Sequence, residues 1–249
     1  MNLPVVLVTG GSRGIGAATA LLAARRGWAV AINYARHAEA AEQVAGQIRA
    51  HGGRALAVAA DVGDESQVQA MFREVDAHFG RLDALVNNAG VVDVRARVDE
   101  MSVQRLERML RINVIGSFVC AREAVRRMST RHGARGGAIV NVSSAAARLG
   151  APAQYVDYAA SKGAIDTFTN GLSKELAEEG IRVNAVRPGL IDTEIHASGG
   201  MPQRAFDLAG TVPMKRVGTA DEVAAAIVWL LSPEASYVTG SFIDVAGGR

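Results

Sequence analysis

Short runs of β-branched and apolar residues alternate along this chain with longer segments of helical periodicity. The predicted strands are Val5–Val8, Ala29–Tyr34, Arg54–Ala59, Leu82–Val86, Ala138–Val142, Arg182–Arg187 and Ser241–Val245. The predicted helices are Gly14–Arg26, Ala38–Ala50, Glu65–Phe79, Val103–Met128, Val156–Glu178 and Asp221–Leu230. Most strands are apolar throughout, which is typical of parallel strands covered by helices on both faces. The alternation predicts one doubly wound α/β domain over residues 1–249.

Two helices carry start signals, and one stretch has no regular pattern. Asp64 followed by Gln67, and Thr219 followed by Glu222, predict reciprocal capping of a first helical turn. The irregular stretch from Pro188 to Gly218 is too long for a plain connection, which predicts a binding loop or lid at about residues 189–217.

Substrate specificity is expected in the segments beside the predicted site. They are Val91–Glu100, Ala145–Tyr155 and Ile191–Val217. Met201, Phe206 and Met214 suggest an apolar lid, and Gly199-Gly200 is either its hinge or a simple turn.

Composition excludes several classes of protein. The net charge is +2, and the basic residues are spread among acids, so no nucleic-acid partner is expected. One cysteine, Cys120, excludes a disulfide framework and fits a reducing compartment. The start lacks a signal-peptide pattern, and the longest apolar runs are far shorter than the roughly 20 residues of a membrane span, so we expect a cytoplasmic protein. The histidines lack metal-ligand spacing and no metal is expected; His196, in the predicted lid, is either an exposed loop residue or a substrate contact.

A glycine-rich segment stands between the first predicted strand and the first predicted helix. It reads Thr9-Gly10-Gly11-Ser12-Arg13-Gly14-Ile15-Gly16. Glycines at 10, 14 and 16 let backbone N–H groups approach a pyrophosphate at the N-terminus of a helix. Glycine-rich turns are common, but this position between strand and helix favours a nucleotide site.

The end of the second strand indicates which dinucleotide would bind. An acidic residue there would bind the 2′-hydroxyl of NAD, but no acid follows until Glu39. Arg36, with Arg13, can instead bind a 2′-phosphate, which predicts NADP(H) in preference to NAD(H). The alternative is that Arg36 is a solvated loop arginine.

Ordered motifs along nearly the whole chain resemble those of the short-chain dehydrogenase/reductase family. They are Thr9 to Gly16, Asn87-Asn88-Ala89-Gly90, Asn113, Ser143-Ser144, Tyr158-Ala-Ala-Ser-Lys162 and Arg187-Pro188-Gly189. The resemblance implies a seven-stranded parallel Rossmann sheet and reversible NAD(P)(H)-dependent carbonyl reduction. The 3-oxoacyl-carrier-protein reductase and glucose dehydrogenase branches of the family both look similar to this chain.

Tyr158 and Lys162 form the candidate acid and its support. Their i,i+4 spacing puts them on one face of a helix. A ketone needs a proton at its oxygen while hydride reaches its carbon, and a nearby ammonium would lower the pKa of a tyrosine towards neutral pH. The family's lysine also holds the nicotinamide ribose. Tyr155 is the competing acid, but the residue four positions on is Ala159.

The resemblance supplies two further catalytic candidates. Ser144 is the expected donor to the carbonyl oxygen, at the end of the fifth predicted strand, and Ser143 remains an alternative because the spacing to Tyr158 is one residue longer than is common in the family. Asn113 would bind a water that connects Lys162 to solvent; without the resemblance it is a polar residue at a helix kink or surface.

The family pattern also transfers to cofactor contacts. They are Gly10, Ser12, Arg13, Gly14, Ile15, Gly16, Tyr34, Arg36, Asp61, Val62, Asn88, Ala89, Gly90, Tyr158, Lys162, Pro188, Gly189, Ile191 and Thr193. The resemblance further implies a homotetramer, with residues 156–178 packing across one interface and residues 242–249 near another.

Two other functions stay open. Docking of an acyl carrier protein would need a basic patch beside the cleft, for which Arg131, Arg135 and Lys174 are candidates. A non-catalytic NADP(H) sensor would not require the four catalytic residue types together. The small-molecule carbonyl or alcohol substrate itself is not specified by the sequence.

Overall fold

In the computed structural model, which describes residues 3–195, 199–201 and 203–249, seven parallel strands form one sheet in the order β3-β2-β1-β4-β5-β6-β7. The strands are β1 (Val5–Val8), β2 (Ala29–Tyr34), β3 (Ala55–Ala59), β4 (Ala84–Asn87), β5 (Gly137–Val142), β6 (Ile181–Pro188) and β7 (Phe242–Val245). The predicted seven-stranded parallel sheet is therefore confirmed, and its strand ends shift by at most two residues.

Helices cover both faces of the sheet. The main ones are α1 (Gly14–Arg25), α2 (Ala38–Ala50), α3 (Glu65–Phe79), α4 (Val103–Leu110), α5 (Gly116–Met128), α6 (Val156–Glu175) and α7 (Ala220–Leu231). Successive side chains along each strand point to opposite faces of the sheet. Val6 and Val8 of β1 therefore join a core with α1, α2 and α7, whereas Val5 and Leu7 join another with α3, α5 and α6. Within the first layer, α1 packs directly against α7.

The predicted helix over Val103–Met128 is helical along its whole length, but it is not α-helical throughout. A π-helical turn, Arg111–Ile115, separates α4 from α5. It holds Asn113, which is buried and whose Nδ2 donates to Val91 O at 2.9 Å and to Ser161 Oγ at 3.1 Å. Asn113 thus connects the π-helical turn by hydrogen bonds to residues distant in sequence. Turns of this kind are frequent at functional sites.

Two other expectations about helix ends need correction. Residues 156–178 do not form one helix, because α6 ends at Glu175 and a 3-10 turn, Ala177–Glu179, leads to Gly180 at φ +74°. Asp64 caps α3 by accepting from the N–H groups of Ser66 and Gln67, but Gln67 Oε1 accepts from Asp61 N rather than from Asp64. The reciprocal cap of Thr219 and Glu222 on α7 is confirmed.

The segment after β6 has little regular structure in its described residues. It contains a helical turn, Arg204–Asp207, a 3-10 turn, Ala209–Thr211, and a parallel bridge between Ile191 and Gly218. Phe206 and Met214, expected to form an apolar lid, are both exposed. The candidate substrate contact His196 lies outside the described residues. Among the described helices, none is long and apolar enough to cross a membrane.

Candidate active site

The predicted site residues collect at the carboxyl edge of the sheet. The strand order changes direction between β1 and β4, and open α/β sheets bind their ligands at such a point. Two neighbouring cavities lie here, of about 490 Å³ and 510 Å³. They share Ile15, Asn88, Gly90, Val92, Thr193 and Ile195 as lining residues, so they adjoin. We call them the turn cavity, which contains the glycine-rich turn, and the tyrosine cavity, which contains Tyr158.

The glycine-rich turn is held by close backbone packing. Gly10 has φ +59°, and its N–H donates to Asn33 Oδ1 at 3.1 Å. A Cβ on Gly16 would lie 2.3 Å from the Gly10 carbonyl oxygen, so this position must be glycine. Gly16 therefore shapes the turn without lining either cavity. Asn33 was missed in the sequence, where its signal is a polar residue inside an apolar strand.

Thr9 and Asn88 join the turn to the loop after β4. Thr9 Oγ1 accepts from the N–H groups of Asn88 and Ala89, both at 3.0 Å. Asn88 Nδ2 donates to the carbonyl oxygens of Thr9 and Gly10, at 2.9 Å and 3.0 Å. The carboxyl ends of β1 and β4, between which the strand order changes direction, are therefore joined by hydrogen bonds.

The turn cavity fits a dinucleotide. Of the expected cofactor contacts, its walls include Gly10, Ser12, Arg13, Gly14, Ile15, Tyr34, Arg36, Asp61, Val62, Asn88, Ala89, Gly90 and Thr193. At the start of α1 no side chain caps the first turn and no acidic residue occupies it, so its N–H groups and positive dipole end suit a phosphate. Arg13 and Arg36 are exposed, and neither forms an ion pair with any carboxylate in the described part of the chain.

Tyr158 and Lys162 project from α6 into the tyrosine cavity, which Pro188, Gly189 and Ile191 also line. Lys162 Nζ lies 5.7 Å from the centre of the Tyr158 ring and donates to Val142 O at 2.7 Å. Burial lowers the pKa of Lys162 from 10.5 to about 8, and the charge of Asp166 opposes this.

The pKa of Tyr158 departs from the expectation. Burial raises it above 10.0, while a hydrogen bond with Ser144 and the charge of Arg204 act in the opposite direction. Lys162 is not among the groups that lower it, and its ammonium is bonded to the Val142 carbonyl oxygen instead. The phenol is therefore in its protonated form at neutral pH in this structure.

The two adjacent serines have different partners. Ser143 is buried, and its Oγ lies 2.6 Å from Asp166 Oδ1 and 3.2 Å from Lys162 O. Ser144 lies beside Tyr158 and lowers its pKa, and Ser144 Oγ accepts from Ala146 N at 3.1 Å. The geometry therefore favours Ser144 as the group that faces a substrate oxygen, and Asp166, which the sequence did not suggest, holds Ser143 away from that task.

Tyr155 lines the tyrosine cavity together with Tyr158, whereas Asn113 does not. Tyr155 is buried, with the Arg204 guanidinium 5.2 Å from the centre of its ring. Asn113 lines neither cavity, and its Oδ1 accepts from Val91 N at 2.8 Å, so its side chain fixes the loop after β4. A Cβ on Gly90 would lie 3.4 Å from Asn113 Oδ1 and 3.6 Å from Lys162 Nζ. The water-binding role of Asn113 stays a prediction.

The basic residues expected beside the cleft lie elsewhere. Arg131 and Arg135 precede β5, and Lys174 stands in the last turn of α6, shortly before β6 begins. All three are exposed, at the amino edge of the sheet, opposite the two cavities. They cannot form a docking patch beside the site. In the described residues there is also no group of three or more histidine, cysteine or acidic side chains that could hold a metal ion.

A family model described as Enoyl-(Acyl carrier protein) reductase matches residues 10–249. The chain belongs to the short-chain dehydrogenase/reductase family. It is an oxidoreductase of that type, in a family that uses NAD(P)(H).

Several curated proteins and solved structures are similar to this chain over nearly its whole length. "Uncharacterized oxidoreductase YgfF" of Escherichia coli (strain K12) is 58% identical over 99% of this chain and 100% of its own length. "Glucose 1-dehydrogenase 2" of Bacillus subtilis (strain 168) is 38% identical over 97% of this chain and 93% of its own. The crystal structure of a short-chain dehydrogenase from Burkholderia cenocepacia J2315 in complex with NADP has a TM-score of 0.91 and 36% identity, and covers 100% of this chain and 99% of that one.

Proposed function

We propose that the protein is an NADP(H)-dependent carbonyl reductase or alcohol dehydrogenase acting on a small molecule. The observation that carries the proposal is the position of Tyr158, Ser144 and Lys162 in a cavity that adjoins the turn cavity. A proton donor and a hydrogen-bond donor to the substrate oxygen would thus lie beside a bound nicotinamide.

The contacts support a catalytic role for each of these three residues. A bound NADP(H) supplies or accepts the hydride. Tyr158, protonated at neutral pH, gives its hydroxyl proton to the carbonyl oxygen during reduction and takes it back during oxidation. Ser144 donates a hydrogen bond to the same oxygen as negative charge develops on it. Lys162, anchored by Val142, keeps a positive charge beside the Tyr158 ring below pH about 8.

The preference for NADP(H) rests on the end of β2. Tyr34 and Arg36 line the turn cavity together with Arg13, and no acidic residue occupies positions 34 to 38. An NADP complex of a structural relative agrees with this choice. A guanidinium without an acidic partner is free to pair with a 2′-phosphate.

The direct test is oxidation of the cofactor over a panel of ketones, β-ketoesters, diketones and sugars, with NADPH and NADH in parallel. We expect turnover that favours NADPH and is lost in Tyr158→Phe, which keeps the ring and removes the acid. Unchanged turnover in that variant would refute the mechanism. Tight NADPH binding without any turnover would favour a non-catalytic sensor.

The proposal also includes the localisation and the oligomeric state of the protein. We place the protein in the cytoplasm, as a homotetramer. The description of the matching family model names an acyl carrier protein. A carrier-bound acyl substrate would need a docking surface other than Arg131, Arg135 and Lys174.

A further inference from the structure

The tyrosine cavity is apolar on most of its wall and positive at one side. Leu149, Pro152, Leu190 and Leu208 are among its apolar lining residues. No Asp or Glu lines it in the described part of the chain, whereas Arg204 does. Arg249 also lines it, and Arg148 donates to the Arg249 main-chain oxygen. The charged side chains on the described part of the wall are therefore all basic.

Arg204 is held in a fixed position on that wall. Its Nη2 donates to Gln154 Oε1 at 2.9 Å, and its guanidinium carbon lies 5.2 Å from the centre of the Tyr155 ring. Both contacts leave its charge unneutralised, and no ion pair joins it to an acid in the described residues. A guanidinium has five N–H donors, so most of them remain for a ligand.

The charge of Arg204 acts on the reacting region. It is one of the groups that oppose the rise in the pKa of Tyr158. Tyr158 and Arg204 both line the tyrosine cavity, whose volume is about 510 Å³. A molecule whose carbonyl meets Tyr158 inside this cavity would thus have Arg204 within reach of a second polar group.

A half-buried cation without an acidic partner costs free energy, and a ligand that brings the missing negative charge recovers it. A carboxylate matches the planar guanidinium in a bidentate pair. We propose that Arg204 binds the carboxylate of the substrate, so that the enzyme acts on oxo acids or hydroxy acids with a short apolar spacer. This inference rests on the proposed function, because it concerns the substrate of the same reaction.

One carboxylate fits the cavity better than a phosphate monoester does. A dianionic phosphate requires several donors around three oxygens, whereas Arg204 offers one planar face beside an apolar wall. The substrate's spacer would pack on the leucine side chains of that wall, and its reacting oxygen would meet Tyr158 and Ser144.

The test compares matched substrates. Oxo acids with two to five carbon atoms between the carbonyl and the carboxylate are measured beside their methyl esters and a ketone phosphate, with NADPH. We expect kcat/KM for the best acid to exceed that for its ester by about tenfold or more. Arg204→Met should abolish this preference, because kcat/KM for the acid falls at least about tenfold further than kcat/KM for the ester. Arg73→Met, on an exposed face of α3, is the control and should change neither value.

The outcomes separate this inference from the proposed function. If neutral ketones or esters are reduced in a Tyr158-dependent way and acids are not preferred, the role of Arg204 is refuted and the function stands. The same holds if the preference for acids survives in Arg204→Met, or if the phosphate is preferred to the acid. If no member of either set is turned over while NADPH binds, the proposed function itself fails.

Discussion

Lys162 shows how a single buried side chain links the site to stability. Its pKa falls from 10.5 to about 8 on folding, so between these values the unfolded chain binds a proton that the folded chain does not. The free energy of unfolding then contains a term that rises as the pH rises through this window, by about 3 kcal/mol in total. At pH 7 both states are protonated, and the cost of burying the charge is fully present.

Comparison with Lys162→Met isolates that term from other titrating groups such as Cys120. We expect the unfolding free energy of the native chain, minus that of the variant, to increase between pH 7.5 and 10. Urea denaturation at several pH values measures it. A constant difference would show that the ammonium keeps an ordinary pKa in the folded protein.

The proposed preference for NADP(H) can be tested at Arg36. Arg36→Asp replaces a group that can pair with a 2′-phosphate by one that repels it. We expect KM for NADPH to rise by about tenfold to hundredfold, while KM for NADH stays the same or falls. Initial rates with both cofactors measure this, and Arg26→Asp, an exposed residue outside both cavities, is the control. An unchanged KM for NADPH would leave Arg36 as a solvated loop arginine.

Individual elements are tied together by a buried ion pair between α4 and α6. Arg105 Nε donates to Asp157 Oδ2 at 2.7 Å, the side chains being 9% and 1% exposed. Arg105 Nη1 also donates to Val94 O at 2.7 Å, so the pair holds the loop after β4 beside the helix of Tyr158.

Removal of one partner of the Arg105–Asp157 pair should therefore lower the free energy of unfolding more than removal of both partners. We expect Arg105→Met to lower the unfolding free energy by about 3 to 5 kcal/mol, because Asp157 stays charged and buried. The double variant Arg105→Met/Asp157→Asn should recover most of this loss. Denaturant unfolding measures both. A double variant as unstable as the single one would assign the effect to packing rather than to charge.

The sequence predicts elements well where burial on both sides makes them apolar, as in β1 and β2. It fails at the π-helical turn, because the apolar periodicity of residues 103–128 continues through it while the turn depends on the bonds of Asn113 to Val91 and Ser161. The choice between Ser143 and Ser144 likewise needs Asp166, which lies 23 residues further along the chain. Local patterns do not contain such distant partners.

At the scale of the whole molecule, large apolar side chains remain exposed on α5 and on the π-helical turn before it, beside α6. Ile115 and Phe118 are 54% and 47% exposed, and Phe118 stacks on Phe168 of α6 at 3.8 Å between ring centres. Large exposed apolar groups on neighbouring helices mark an association surface. This is the face on which one interface of the proposed tetramer would form.

Light scattering tests the assembly. We expect the mass of four 26.0 kDa chains for the native protein, and a smaller species for Phe118→Glu, because a carboxylate would be buried there without a partner. Gln43→Glu, which adds the same charge at an exposed position of α2 on the other side of the sheet, is the control and should remain tetrameric. A native chain that elutes as a monomer would contradict the proposal.

The packing of α1 against α7 has a consequence for synthesis. α1 ends at Arg25, and its partner is finished only at Leu231, about 200 residues later. At translation rates of about 5 to 20 residues per second, some 10 to 40 seconds pass between the synthesis of α1 and that of α7. The face of α1 that packs on α7 therefore stays uncovered by α7 until more than nine-tenths of the polypeptide has been made.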